Sequence, residues 1–191
     1  MNLADCKERL ATAGVLFEDG LSEQEFAAIE HEYGFRFPED LRLFLSYALP
    51  VSDGWVDWRH DTRTEIDQRM QWPFEGMCFD IEHNSFWLDE WGEKPVVLQQ
   101  AFEIARQNVA KAPKLIPIYS HRFMPDSPSE AGNPVFSVYQ TDIIYYGHNL
   151  ENYLHNEFRG VFVRTSETTD LNYDEIRRIE LWSSLVDYGC P

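Results

Sequence analysis

The sequence predicts an α+β protein: a single domain with a largely antiparallel, mixed sheet and helices packed on it. Three observations carry this. Helical periodicity comes first along the chain, strand signals follow, and helical periodicity returns, an order that segregates the two kinds of element. The clearest strand pair is joined by two residues, which permits a hairpin and no crossover. At 191 residues the chain fits one domain that buries roughly 70% of its unfolded surface.

Residues 3–13 read as a short helix closed by Gly14, and VLFEDG leads from it into the next element. Ser22 followed by Glu25 is a capping box, with Leu21 and Phe26 placed as a hydrophobic staple. Phe26, Ile29 and Tyr33 continue at helical spacing, and Gly34 suits the left-handed residue that closes a last turn. Pro38 suits a first helical position, Glu39 and Asp40 favour the positive end of the dipole, and Leu41, Phe44, Leu45 and Ala48 form one apolar stripe up to Pro50.

WVDW at 55–58 alternates like a strand, with Trp55 and Asp57 on one face and Val56 and Trp58 on the other. TEIDQRMQ at 64–71 predicts a helix ending before Pro73, with MCFDI and SFWL as short strands after it. Residues 95–111 predict a helix with Pro95 at its start and Val97, Ala101, Ala105 and Val109 in line. KLIPIY at 114–119 reads as a strand and 120–133 as a long polar loop, of the kind that often carries function. PVFSVY and DIIYY flank Gln140 and Thr141 as a hairpin. Asn149 can cap a helix bearing Leu150, Tyr153, Leu154 and Phe158, closed by Gly160. A final helix is expected from Asn172, with Glu175 at the capping-box position and Ile176, Ile179 and Trp182 inward. Whether residues 160–191 form an integral layer or an appendage is open at this level.

LSEQEFAAIEHEYGFRFPEDLRLFLSYAL at 21–49, a capped acidic helix, a short YGFRFPEDLRLFL joint and an amphipathic second helix, resembles the SUKH superfamily. That superfamily includes fungal cell-wall regulators of the Smi/Knr type and many bacterial immunity proteins. A second block at 114–158, with LIPIYSHRFMP and GNPVFSVYQTDIIYYGHNLENYLHNEF, resembles the strand, hairpin and terminal helix of bacterial members. The blocks occur in family order and cover about 75 residues. The resemblance implies the α+β fold and a protein-binding role, as an immunity protein or an intracellular adaptor, and names no partner.

A net charge of −17 argues against direct nucleic-acid binding, which needs clustered Lys and Arg. Residues 1–100 hold 21 acids against 8 bases, so the excess lies mainly in the N-terminal half; it suits either a basic partner or plain solubility. Cys6, Cys78 and Cys190 are widely spaced and odd in number, which suggests neither a disulfide framework nor a zinc site. With no apolar run approaching 18 residues and no secretory signal, the expectation is a cytoplasmic protein without a membrane segment.

No nucleophile elbow, phosphate loop, dinucleotide turn or His-Glu-x-x-His helix occurs, so no catalytic residue, metal ligand or cofactor is assigned and no enzyme activity is expected. The six histidines share no helical face, and Cys78 reads as a buried strand residue rather than a nucleophile. DSPSEAG at 126–132 starts like a calcium loop but puts Pro128 at the third position and lacks the bidentate Glu. Arg122, after KLIPIY, can pair with a carboxylate or stack on an aromatic ring as a ligand contact, or tie its own loop to Asp126 or Glu130.

Of Trp55, Trp58, Trp87, Trp91, Tyr145 and Tyr146, alternation in strands consigns at least half to the core. The others, beside Asp57, Asp89 and Glu90, would be aromatic anchors ringed by acids, a combination that suits a basic protein surface. The candidate partner-binding set is therefore Trp55, Asp57, Trp58, Trp87, Asp89, Glu90, Trp91 and Arg122, and the partner expected is a basic protein such as a nuclease-type toxin whose cleft the domain covers. The alternative is a Smi/Knr-type adaptor that binds a peptide or host protein.

Overall fold

A computed structural model describes residues 1–162 and 171–189. The elements are α1 (Leu3–Thr12), β1 (Phe17–Asp19), α2 (Glu23–Tyr33), α3 (Glu39–Tyr47), β2 (Ala48–Pro50), α4 (Arg63–His83), α5 (Leu98–Val109), β3 (Leu115–Tyr119), β4 (Arg122–Pro125), β5 (Val135–Tyr139), β6 (Asp142–Gly147), α6 (Leu150–Glu157), α7 (Arg159–Phe162) and α8 (Trp182–Gly189). Single 3-10 turns lie at Asp89–Trp91 and Tyr173–Glu175. The part of the C-terminal extension between 163 and 170, and Cys190, lie outside the described residues.

The capping box forms as the sequence predicts. Glu25 N–H donates to Ser22 Oγ at 3.3 Å and Ser22 N–H donates to the Glu25 carboxylate at 2.8 Å. Gly34, at φ 65° and ψ 42°, then turns the chain out of α2 with the left-handed geometry that a side chain would resist. Pro38 sits one position earlier than expected, as the extended residue ahead of α3.

β3, β4, β5 and β6 form an antiparallel meander in that order, and β1 pairs with β2 in a small separate sheet. The meander has helices on both faces. Ile116, Ile118, Met124 and Val135 join residues of α1, α2, α3 and α6 in one apolar cluster, while Leu115, Phe123, Phe136, Val138, Ile143 and Tyr145 join residues of α4, α5 and α8 in another. Alternate strand residues thus serve opposite layers, as the pleat requires. Ile179, Trp182 and Leu185 are buried in the second cluster, so the described C-terminal residues are an integral layer.

Several sequence expectations are overturned. The helix expected to stop before Pro73 runs on to His83, and MCFDI lies within it instead of forming a strand. A second capping box, Thr62 with Glu65, starts it, and Ile66, Met77 and Ile81 bury one side, so tertiary packing outweighs the hydrogen bond that Pro73 removes. SFWL forms no strand. WVDW contributes only a single bridge, Trp55 to Tyr119. The first part of the supposed loop 120–133 is β4, a fully buried strand whose lack of polar alternation hid it. At the C-terminus, the helix expected from Asn172 is a 3-10 turn, and α8 begins only at Trp182. α5 starts three residues later than Pro95, leaving Val97 exposed ahead of it.

Candidate functional site

The 13 residues from Asn84 to Val96 cross from the end of α4 toward α5 as a corner on the outside of the second layer. α4 is pinned at this end. Asp80, 5% exposed, accepts from the Thr141 N–H at 2.8 Å, from the Thr141 hydroxyl, and from Asn84 Nδ2 at 2.6 Å. The Asp80 backbone carbonyl accepts from the N–H groups of Asn84 and Phe86 at 2.9 and 3.0 Å. Lys94 folds back so that Nζ donates to the Ile81 carbonyl at 2.7 Å and the Phe86 carbonyl at 3.3 Å, covering the negative end of the helix.

Four rings build the corner. Phe86, buried, meets Trp91 edge-on at 5.9 Å between ring centres and Tyr188 at 5.5 Å. Trp91 in turn meets Trp87 edge-on at 5.2 Å. Trp87 Nε1–H donates to the Gly92 carbonyl at 2.7 Å, which holds the 3-10 turn closed beneath it. Trp87 and Trp91 are half-buried, Tyr188 is exposed, and Asp89, Glu90 and Glu93 are exposed around them. Because the Lys94 ammonium is committed to backbone carbonyls, none of these three carboxylates is paired with it. Beside Trp91 a groove of about 310 Å³ runs between Glu90, Asn108 near the end of α5, Lys111 and Ala112 just after it, and Glu180, Leu181 and Ser184. An apolar floor with two carboxylates on its rim can hold the stem of a long basic side chain while engaging its head.

The candidate residues separate into two groups. Trp87, Asp89, Glu90 and Trp91 come together at this corner. Trp55, Trp58 and Arg122 are 4%, 7% and 7% exposed and belong to the interior of the other layer. Trp55 stacks on Phe158 at 5.9 Å and lies 5.3 Å from Tyr119; Trp58 packs against Phe35 and Phe37. Asp57 accepts from the N–H groups of Arg59 and His60, organising its own turn. Arg122 finds both of its predicted partner types inside the chain. It donates to Glu157 at 2.8 Å and lies over Tyr146 at 3.8 Å, whereas Asp126 accepts from the Lys114 N–H instead.

Phe86, Lys94 and Tyr188 were not among the sequence candidates. Neither Lys94 nor Tyr188 carried a signal: Lys94 lies well past the end of α4 at His83 and returns to it only through the folded corner, and only the fold brings α8 there. The two described thiols do not suit nucleophilic chemistry: burial pushes Cys6 up to about 12 and moves Cys78, half-buried on α4, upward as well. Among the described residues no group of three or more His, Cys, Asp and Glu side chains is arranged to hold a metal ion, and no helix is long and apolar enough to cross a membrane. No family model matches the chain, and neither a curated protein nor a solved structure does.

Proposed function

We propose that this chain is a non-enzymatic, cytoplasmic binding protein of SUKH-like type that neutralises a basic, nuclease-type toxin by covering its cleft. The observation that carries the reading is the corner itself: Trp87 and Trp91 packed edge-on at the surface with Asp89, Glu90 and Glu93 exposed around them. Aromatic anchors supply contact area, and unpaired acids speed and orient encounter with a positive surface. Nuclease clefts are basic because they bind phosphate, so the same acids exclude substrate by occupying its place. Trp55, Asp57, Trp58 and Arg122 act in this reading by supporting the fold.

The test compares wild type with Asp89→Lys/Glu90→Lys as baits in the native lysate, washed at low and then high salt. A basic nuclease-like protein should be retained by wild type, released by salt and missed by the double variant, and co-expression should relieve its toxicity. Retention by the double variant, or capture indifferent to salt, removes the basis for the reading. The Smi/Knr-type adaptor is favoured by one specific feature, a second, more apolar groove between α2, α4 and α5; a salt-insensitive partner dislodged from that groove would support it.

A further inference from the structure

We propose that the groove between α2, α4 and α5, distinct from the one beside Trp91, is a binding site for an apolar monocarboxylate. It measures about 360 Å³, within the range of small-molecule sites. Its apolar lining is Met70 and Phe74 from α4, Val109 from α5, Ala112 and Leu115 after it, and Trp182 from α8, while polar and charged side chains, Gln71 among them, complete its wall. Trp182 and Leu115 are buried, and Trp182 Nε1–H is already satisfied by the Pro113 carbonyl at 2.6 Å, so this floor asks nothing polar of a ligand.

The charged groups around the groove differ in how far they are satisfied. Glu32 and Asp67 share Arg63, at 3.2 and 3.5 Å. Lys114 donates to the Tyr33 and Gly34 carbonyls at 2.9 and 2.8 Å, closing the end of α2. Arg106 differs: its guanidinium lies over the Phe74 ring, 4.4 Å from the centre, and no carboxylate pairs with it among the described residues. In a chain with 33 acids against 16 Lys and Arg, carboxylates are the abundant partner, so an Arg held in place by a ring and left without one is a preset anion contact.

Geometry and charge together select the ligand. One guanidinium matches one carboxylate, which it can grip through two N–H groups. Asp67 and Phe74 are seven residues apart on α4, about 10 Å of helix, so the tail has roughly the length of an eight-carbon chain before it meets the acids at the far end. A second negative group on the tail would face Glu32 and Asp67. The ligand class is therefore a medium-chain fatty acid or an aryl-alkanoic acid of similar length.

Octanoate is the probe, titrated calorimetrically into wild type, Arg106→Gln and Val109→Trp, with octanol as the uncharged control. Octanoate should bind wild type with a dissociation constant below about 1 mM and octanol about tenfold more weakly. Arg106→Gln, an exposed position, should bring octanoate down to the octanol level and leave octanol unchanged, and Val109→Trp should remove both. Amide NMR shifts should cluster at Met70, Phe74 and Val109. Equal binding of acid and alcohol to wild type overturns the proposal, as does octanoate binding indifferent to Arg106→Gln, or no saturable octanoate heat up to about 10 mM from the folded protein. None of these outcomes bears on the acidic corner, so the two readings fail separately.

Discussion

Asp80 should be the most costly single carboxylate to remove from this chain. It is 5% exposed and receives the Thr141 N–H at 2.8 Å, the Thr141 hydroxyl, and Asn84 Nδ2 at 2.6 Å. A hydrogen bond to a charged group contributes about 1.5–3 kcal/mol, and a buried donor left without a partner costs about 1–3 kcal/mol. In Asp80→Ala the Asn84 amide and the Thr141 hydroxyl can turn to water, whereas the Thr141 N–H, fixed at the hairpin tip over α4, cannot. The expected loss is about 3 kcal/mol, or about 6–12 °C for a domain of this length. Asp80→Asn keeps an oxygen for Thr141, and Asn84 can rotate its amide to offer one in turn, so its cost should be about 1 kcal/mol. Urea unfolding followed by circular dichroism and by tryptophan fluorescence measures both variants. A loss under about 1 kcal/mol in the Ala variant, or equal losses in the two, would refute the assignment of Asp80 as the clamp between α4 and the hairpin.

Gly76 passes directly beneath Gln140, and a Cβ added there would stand 2.7 Å from the Gln140 Cα; Gly76→Ala should therefore destabilise by about 2 kcal/mol although alanine is the better helix former by about 1 kcal/mol, and a rise in melting temperature would contradict the packing. Arg59 donates to Glu25 at 2.7 Å, and this contact, with the Ser22 N–H, holds the Glu25 carboxyl down to about 2. A carboxylate depressed in the folded state gives stability that is present above its unfolded value and lost as pH falls, so Arg59→Gln should flatten the acid limb between about pH 4.5 and 2 and move the Glu25 titration upward by NMR; an unmoved titration would exclude Arg59 as the cause. The Tyr153 hydroxyl is buried without a hydrogen-bond partner among the described residues, so Tyr153→Phe should be neutral or stabilising by up to about 1 kcal/mol in thermal unfolding, and a clear loss would mean that the hydroxyl is engaged.

How much of this was legible depends on whether the signal was local. The Ser22 box, the Gly34 exit, the β5–β6 hairpin and the Asn149 cap are set within four or five residues by steric and hydrogen-bond rules, and all formed where the sequence placed them. Pro73 misled because its local penalty is offset by distant burial of Ile66, Met77 and Ile81, and β4 was missed because a strand buried on both faces has no alternation to read. The site divided on the same line. Trp87, Asp89, Glu90 and Trp91 were found as neighbours in sequence, but the interior positions of Trp55 and Trp58 depend on Phe35, Phe37, Phe44 and Phe158, which only the fold brings to them.

The meander keeps two sets of side chains apart, with residues 21–49 packing on one face and the corner after α4 on the other. A replacement at Trp87 or Glu90 is felt through Phe86 and Leu88 by α5 and α8, while the helices that carry the most recognisable sequence sense it more remotely, through strand backbone and through α4, whose Ile66 lies in their cluster and whose Met77 and Ile81 lie in the other. Such a protein can change what it recognises without renegotiating how it folds. Its lineage would be traced through one layer and its partners through the other, and comparisons that weight every position equally would blur the two records.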